Sequence, residues 1–313
     1  MMKLTIFLLL LLLGMSSASN YPNLALRGKA TQSDRIMHPF GAANNANDGN
    51  RNSDANAGSC THTIEQTKPW WRVDLLDSYI ITSMTITNRG DCCGERLNRL
   101  QIHVGNSLED DGLGNPIAGT IAKIGQGQSF TLTFTERVEG RYVTLVLPGT
   151  RRILTLCEVE VYGYHAPTGE NLAVYGKATQ SSVNEYSIAY NSIDGNRATD
   201  HGLCSRTNSN FSPWWRLDLG KTHKVFTLKI TQSEAEAEQL QGAEIRIGDS
   251  LDNNGNNNPR CHVFNSTPTG STVEITCDET PGGMDGRYIN IVIPGREAII
   301  TLCEVEVYGS RLD

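Results

Sequence analysis

The residues best equipped for chemistry fall in one nonapeptide, Asn88-Arg89-Gly90-Asp91-Cys92-Cys93-Gly94-Glu95-Arg96, with His62 standing twenty-six residues before Arg89. Each guanidinium presents several N–H donors in a fixed planar fork. Asp91 lies between the two arginines in sequence, and a charge-assisted pair would fix one of those forks. This is equipment for holding a polar ligand. Glycoside hydrolysis generally needs two carboxylates flanking the bond, and the cluster supplies one beside two arginines. Neither a nucleophile elbow nor a Ser-His-Asp spacing accompanies it. Cys60, His62, Cys92 and Cys93 are zinc-ligand types, but their spacing is not the Cys-x2–4-Cys of structural zinc sites. Arg89-Gly90-Asp91 is also the tripeptide that integrins read, although an Asp committed to an arginine beside a constrained ring speaks against that use.

The rest of the chain must position these residues in some compartment. Lys3, then the apolar run Leu4 to Leu13, then Ser16-Ser17-Ala18 read as a secretory signal,. The run is too short to span a membrane, which needs about 20 apolar residues. The mature protein is expected to start near Ser19, to be secreted, and to have no membrane span. A net charge of −7 argues against nucleic acid as a partner,.

An internal repeat organises the remainder. Asn23-Leu24-Ala25 to Ser33 returns as Asn171-Leu172-Ala173 to Ser181, Pro69-Trp70-Trp71-Arg72 as Pro213-Trp214-Trp215-Arg216, and Thr155 to Gly163 as Thr301 to Gly309, with offsets of 148, 144 and 146. A period so long means two copies of one domain, here 19–166 and 167–313, with Pro167 and Gly169 marking the linker,. Short β-branched and aromatic runs such as Tyr79–Thr87 and Arg141–Leu147, broken by Asn-Asp-Gly turns, predict an all-β fold. The expected architecture is two tandem β-sandwich jelly rolls, with the Trp pairs as core or rim packing.

Eight cysteines allow 105 pairings,, and the repeat prunes them. Cys60 and Cys157 occupy the positions of Cys204 and Cys303, so each domain is expected to close on itself. Cys261 and Cys277 occur only in the second copy and are expected to pair there. That leaves the neighbours Cys92 and Cys93, about 3.8 Å apart at Cα, under the usual disulfide span of roughly 4.4–6.8 Å. A bond between them closes a strained ring, of a kind that concentrates at functional sites. The alternatives are two free thiols or a bond to another chain.

His62, twenty-six residues, Arg89-x-Asp91, four residues and Arg96 together resemble the signature of the F-type lectins, or fucolectins. The Cys92-Cys93 insert is similar to that of the eel-type members, and the two copies resemble the tandem fucolectins of fish. The resemblance implies a discoidin-like galactose-binding fold, no enzyme activity, and terminal α-L-fucose on glycans as ligand. Arg89, Arg96 and His62 would hydrogen-bond the axial hydroxyl, its neighbour and the ring oxygen; Asp91 would orient an arginine. The Cys92-Cys93 disulfide would pack on the sugar ring. The family's aromatic contact to the fucose methyl is absent where Ala55 and Asn56 stand, and Met37 or Phe40 are the candidates to replace it. A role in innate immune recognition or agglutination of microbes is a family expectation, compatible with a homo-oligomer. The competing readings are a discoidin-like adhesion module and a glycan-active enzyme.

The resemblance also implies one structural calcium ion per domain. Calcium takes about 6–8 oxygen ligands. Asp48 and Glu158 would supply charge, Ser59 its hydroxyl and carbonyl, and Asn45, Asn50 and Cys157 main-chain carbonyls. Asn191, Asp194, Asn196, Cys303 and Glu304 repeat the pattern. The sugar signature does not repeat: Arg206 replaces His62, Arg89 falls opposite Gln232 or Ser233, and Gln239 stands opposite Arg96. Asn210 and Asn265 head glycosylation sequons,.

Overall fold

The computed structural model describes residues 21–34, 40–234, 240–265, 270–277 and 282–312. The expected signal segment, Met37 and Gln239 lie outside the described residues. In Trp70–Leu75 the side chains alternate, with Trp71, Val73 and Leu75 buried and Trp70, Arg72 and Asp74 half-exposed. That period of two is what a strand with one core face requires. The first copy forms β1 (Lys29–Gln32), β2 (Trp70–Thr87), β3 (Leu100–Gly105), β4 (Ile117–Ile121), β5 (Ser129–Val146) and β6 (Glu158–His165). Their order is β1-β2-β5-β3-β4, with β6 also on β2; every pairing is antiparallel.

The runs expected as short strands are halves of long ones. β2 and β5 each span 18 residues, and their register breaks between Asp74 and Tyr79. Before the break β2 lies between β1 and β5; after it, between β6 and β5. One chain segment thereby serves both layers of the sandwich. The polar interruption Asp77-Ser78 reads as a strand end in sequence but is a bend within a strand.

The second copy repeats the plan as β7 (Lys177–Gln180), β8 (Ser205–Arg206), β9 (Asn210–Phe211), β10 (Trp214–Thr231), β11 (Glu244–Gly248), β12 (Arg260–Val263), β13 (Thr272–Thr276), β14 (Met284–Val292), β15 (Glu297–Ala298), β16 (Thr301–Leu302) and β17 (Glu304–Arg311). Its main sheet runs β12-β11-β14-β10-β13, with β7 and β17 also on β10. Two apolar cores result, one around Trp71 and one around Trp215, both fully buried. Each indole N–H donates to a carbonyl, of Ala43 and of Ala189, so burial leaves no donor unpaired.

Sulfurs join Cys60 to Cys157, Cys92 to Cys93, Cys204 to Cys303 and Cys261 to Cys277. Strand β6 continues as far as His165, two residues short of Pro167. Tyr164 is buried because it reaches the second domain, its ring 6.4 Å from Phe226 and 5.3 Å from Lys224 Nζ. No helix among the described residues is long and apolar enough to cross a membrane.

Candidate functional site

The nonapeptide begins where β2 ends, and a buried amide pins it there. Asn88 Nδ2 donates to the carbonyls of Gly94 at 2.8 Å and Ile124 at 2.9 Å, while its Oδ1 accepts the Arg89 N–H. Gly90 N–H reaches the Ser53 carbonyl at 2.7 Å. A Cβ on Gly90 would sit 2.4 Å from Ser53 Oγ and 3.1 Å from Gly127 Cα, so a larger residue would force this turn to shift. Past the Cys92–Cys93 bond the chain makes a 3₁₀ turn, Gly94–Leu97, anchored by fully buried Leu97. The turn aims Arg96 back towards His62.

Asp91 holds Arg89 in a two-point pair, Nε to Oδ1 at 2.9 Å and Nη2 to Oδ2 at 2.6 Å. The carboxylate also accepts from Ala55 N at 2.9 Å. These partners, Arg89 first, depress the Asp91 carboxyl to about 2. Asp91 therefore fixes the Arg89 fork through Nε and Nη2, and Nη1 stands outside that pair. Arg96 Nη1 donates to His62 Nε2 at 3.2 Å. His62 Nδ1 lies 2.8 Å from the Thr63 carbonyl, which can only accept, so the proton is on Nδ1 and the Nε2 lone pair faces the arginine. Burial, then the charges of Arg96 and Arg89, keeps the imidazole neutral below its ordinary range. His62 thus accepts a hydrogen bond where a donor was equally open from sequence.

Beside these groups lies a cleft of about 350 Å³, with His62 and Arg89 on one side and Phe40, Gly41, Ala55 and Asn56 among its other walls. The exposed Phe40 ring sits over Gly58, where a Cβ would approach it to 2.8 Å. Of the two candidates for an apolar contact, Phe40 lines the cleft. Cys92 and Cys93 are half-buried in the adjoining turn. The roles of Asn88, Ser53 and the Ala55 N–H are not legible in sequence, because they are played by a buried amide or by backbone groups.

A ladder of carboxylate and amide turns leads to this cleft from the proposed metal ligands. Asp48, Asn50, Asn52 and Asp54 each accept, through Oδ1, the N–H two residues on, at 2.9–3.0 Å. The signal is legible in the sequence as an Asx at every second position from 48 to 56. Asn45 Nδ2 donates to the Gly58 and Cys60 carbonyls and Ser59 Oγ to the Asp54 carbonyl. Glu158, next to Cys157, accepts Gly49 N–H on Oε1 at 3.1 Å, while its Oε2 is buried with no hydrogen-bond partner. Burial and then the Asp48 charge raise the Glu158 carboxyl to about 7. Glu304, with Gly195 and Asp194, repeats the arrangement: Oε1 paired, Oε2 unpaired, carboxyl raised to about 7. An orphaned buried carboxylate oxygen beside a second carboxylate, in an all-oxygen setting, fits a hard divalent cation.

In the second domain Arg206 makes the backbone bonds of His62: its N–H reaches Ser187 O as His62 reaches Gly41 O. Cys157 N–H donates to Thr87 and Cys303 N–H to Thr231, which sets Gln232 opposite Asn88 and Ser233 opposite Arg89. Gln232 and Ser233 are both buried. The guanidinium pair of the first domain has no counterpart there among the described residues.

The family described as "NedA-like, galactose-binding domain" matches residues 45–145 and 191–291. Fucolectin-1 of Anguilla japonica is 52% identical over 145 residues, 44% of this chain and 79% of that one. The fucolectin of Anguilla anguilla is 50% identical over 142 residues, 44% of this chain and 89% of that one. The solved structure of an F-lectin (fucolectin) from the serum of Morone saxatilis, the striped bass, is 64% identical with a TM-score of 0.90. It covers 94% of this chain and 100% of that one. Relatives so similar are lectins rather than enzymes, and the family match falls at the same place in both repeats. This chain belongs to the fucolectin family, as a tandem of two galactose-binding-like β-sandwich domains.

Proposed function

We propose that the first domain binds terminal α-L-fucose on glycans through Arg89, Arg96 and His62. The observation that carries this is the gathering of two guanidinium groups and one imidazole at a single cleft, with Arg89 fixed by Asp91 and Arg96 donating to His62 Nε2. A sugar hydroxyl can accept from a guanidinium and, by taking the place of Arg96 at Nε2, also donate to the imidazole; an anion, which only accepts, can use the guanidinium groups but not that lone pair. Phe40 and the Cys92-Cys93 face supply apolar surface for the fucose methyl and ring. Each domain is proposed to hold one calcium ion, the first by Asp48, Glu158, Ser59 and the carbonyls of Asn45, Asn50 and Cys157, the second by Asp194, Glu304 and the carbonyls of Asn191, Asn196 and Cys303. The ion would neutralise the two carboxylates and brace the loop. Secretion, and recognition or agglutination of microbes, complete the reading; the serum origin of the striped bass relative supports the first.

Titration calorimetry with L-fucose tests the site. Arg89→Ala or Arg96→Ala is expected to weaken binding at least tenfold, since a hydrogen bond to a charged group contributes roughly 1.5–3 kcal/mol, with the thermal melt preserved. Near-normal affinity in either folded variant would sink the assignment.

A further inference from the structure

Arg96, bonded to His62 at the cleft, also lines a neighbouring groove of about 460 Å³ with Arg99, Arg151 and Arg152. Four guanidinium groups gather there on a chain of net charge −7, opposed within the groove only by Glu65 and Glu95. Arg151 touches Glu65 at 3.2 Å, but its side chain is 85% exposed, and pairs of that kind are weak in water. Arg152 donates to the carbonyls of Arg96 and Asn98, both at 3.1 Å, and so builds the wall. Arg99 is exposed and holds its backbone at φ 66°, a conformation that favours glycine.

The second domain makes the same turn with Gly242 at φ 75°. Arg99 N–H bonds Ala122 O, and Gly242 N–H bonds Phe264 O, in equivalent places. The turn therefore needs no arginine, and a left-handed non-glycine residue kept beside a binding site points to function. On the facing wall Glu297 and Ala298 replace Arg151 and Arg152. Arg296 there donates to the Gln241 carbonyl, taking over the bond that Arg152 makes to Asn98. The structural bond is kept in both domains, whereas the surplus cations Arg99 and Arg151 belong to the first alone.

We propose that this groove is a subsite for an anionic substituent, a sulfate ester or a sialic acid carboxylate, on the sugar beyond the fucose. Guanidinium forks match both groups, and Arg96 of the groove is bonded to His62 of the cleft, so a ligand longer than a monosaccharide can reach from one to the other. The proposal rests on the fucose reading of the neighbouring cleft.

The test titrates the full chain with one neutral fucosylated trisaccharide, the same core carrying a sulfate, and the same core carrying sialic acid. At low salt an anionic form is expected to bind roughly tenfold tighter than the neutral one, and added salt should erode the gain. A gain for one anion alone supports the subsite and identifies the source. Arg99→Gly combined with Arg151→Glu installs the second domain's own residues; it is expected to keep neutral binding and lose the gain. Equal affinity for neutral and anionic cores, or a gain that survives the double substitution, overturns the subsite and leaves the fucose reading intact. No binding of the neutral core by the unsubstituted chain overturns the fucose reading and the subsite with it.

Discussion

At the scale of single residues the site depends on two protonation states. His62 is neutral below its usual range because burial and two arginines disfavour the imidazolium. Acidification below about 6.5 must eventually protonate Nε2, which then repels Arg96 and can no longer accept from a hydroxyl. Fucose affinity is expected to fall on that acid side and to be flat above it; a His62→Gln variant should lack the inflection in a pH series of dissociation constants. The sign for stability agrees: a base whose folded value is lowered leaves the unfolded chain holding more protons, so its contribution is lost as pH falls. Asp91 behaves as an engaged acid. Its contribution is present above the ordinary 3.8 and lost as pH falls towards about 2. Asp91→Asn removes the charge that aims Arg89. It is expected to cost roughly tenfold in fucose affinity, the scale of one charge-assisted hydrogen bond, measured by calorimetry near neutrality.

At the scale of elements, the loop from Asp48 to Ser59 couples two sites that look separate in sequence. Its beginning carries the proposed metal ligands, and its end gives Asp91 the Ala55 N–H and Gly90 the Ser53 carbonyl. Chelation is therefore expected both to lower the melting temperature, by the mass action of a ligand that binds only the folded state, and to weaken fucose binding. Unchanged melting and binding when calcium is added back to metal-free protein would reject the metal assignment. The strands carry a sharper constraint. A Cβ on Gly163 would lie 2.1 Å from the Ile80 carbonyl oxygen, and one on Gly309 2.2 Å from that of Lys224, each beside a register shift. Neither backbone can yield without opening β2–β6 or β10–β17. Gly163→Ala is expected to destabilise the first domain by roughly 3 kcal/mol, read by scanning calorimetry; a melt like that of the unsubstituted chain would contradict it.

At the scale of the molecule, one scaffold is used twice and one binding constellation once. The second domain keeps its disulfide, its orphaned Glu304 oxygen and its core, while Arg206, Gln232 and Ser233 stand where His62, Asn88 and Arg89 stand in the first. Without two fixed donor forks this domain is expected to bind fucose at least tenfold more weakly. The full chain carrying both Arg89→Ala and Arg96→Ala isolates that residual activity. Affinity in this variant equal to that of the unsubstituted chain would show that the second site binds fucose by other means. Tyr164, Phe226 and the Lys224–Asp285 pair at 2.6 Å make the contact between the domains more than a linker.

The duplicated domain, the β class, the pairing partners of the cysteines and the cluster around Arg89 were legible in the amino-acid order, because each rests on repetition, periodicity or short spacing. The halves of β2 were not: Asp77-Ser78 ends a run locally, and only packing against both β1 and β6 makes the strand continue. The direction of the His62 hydrogen bond depends on the Thr63 carbonyl, which folding places against Nδ1. The proton needs of Glu158 depend on burial beside Asp48, 110 residues earlier in the chain. The groove of Arg99, Arg151 and Arg152 joins residues about 50 apart. Sequence determined which groups the chain owns; the tertiary structure decided which of them meet, since charge and hydrogen bonding act over a few ångströms of space regardless of distance along the chain.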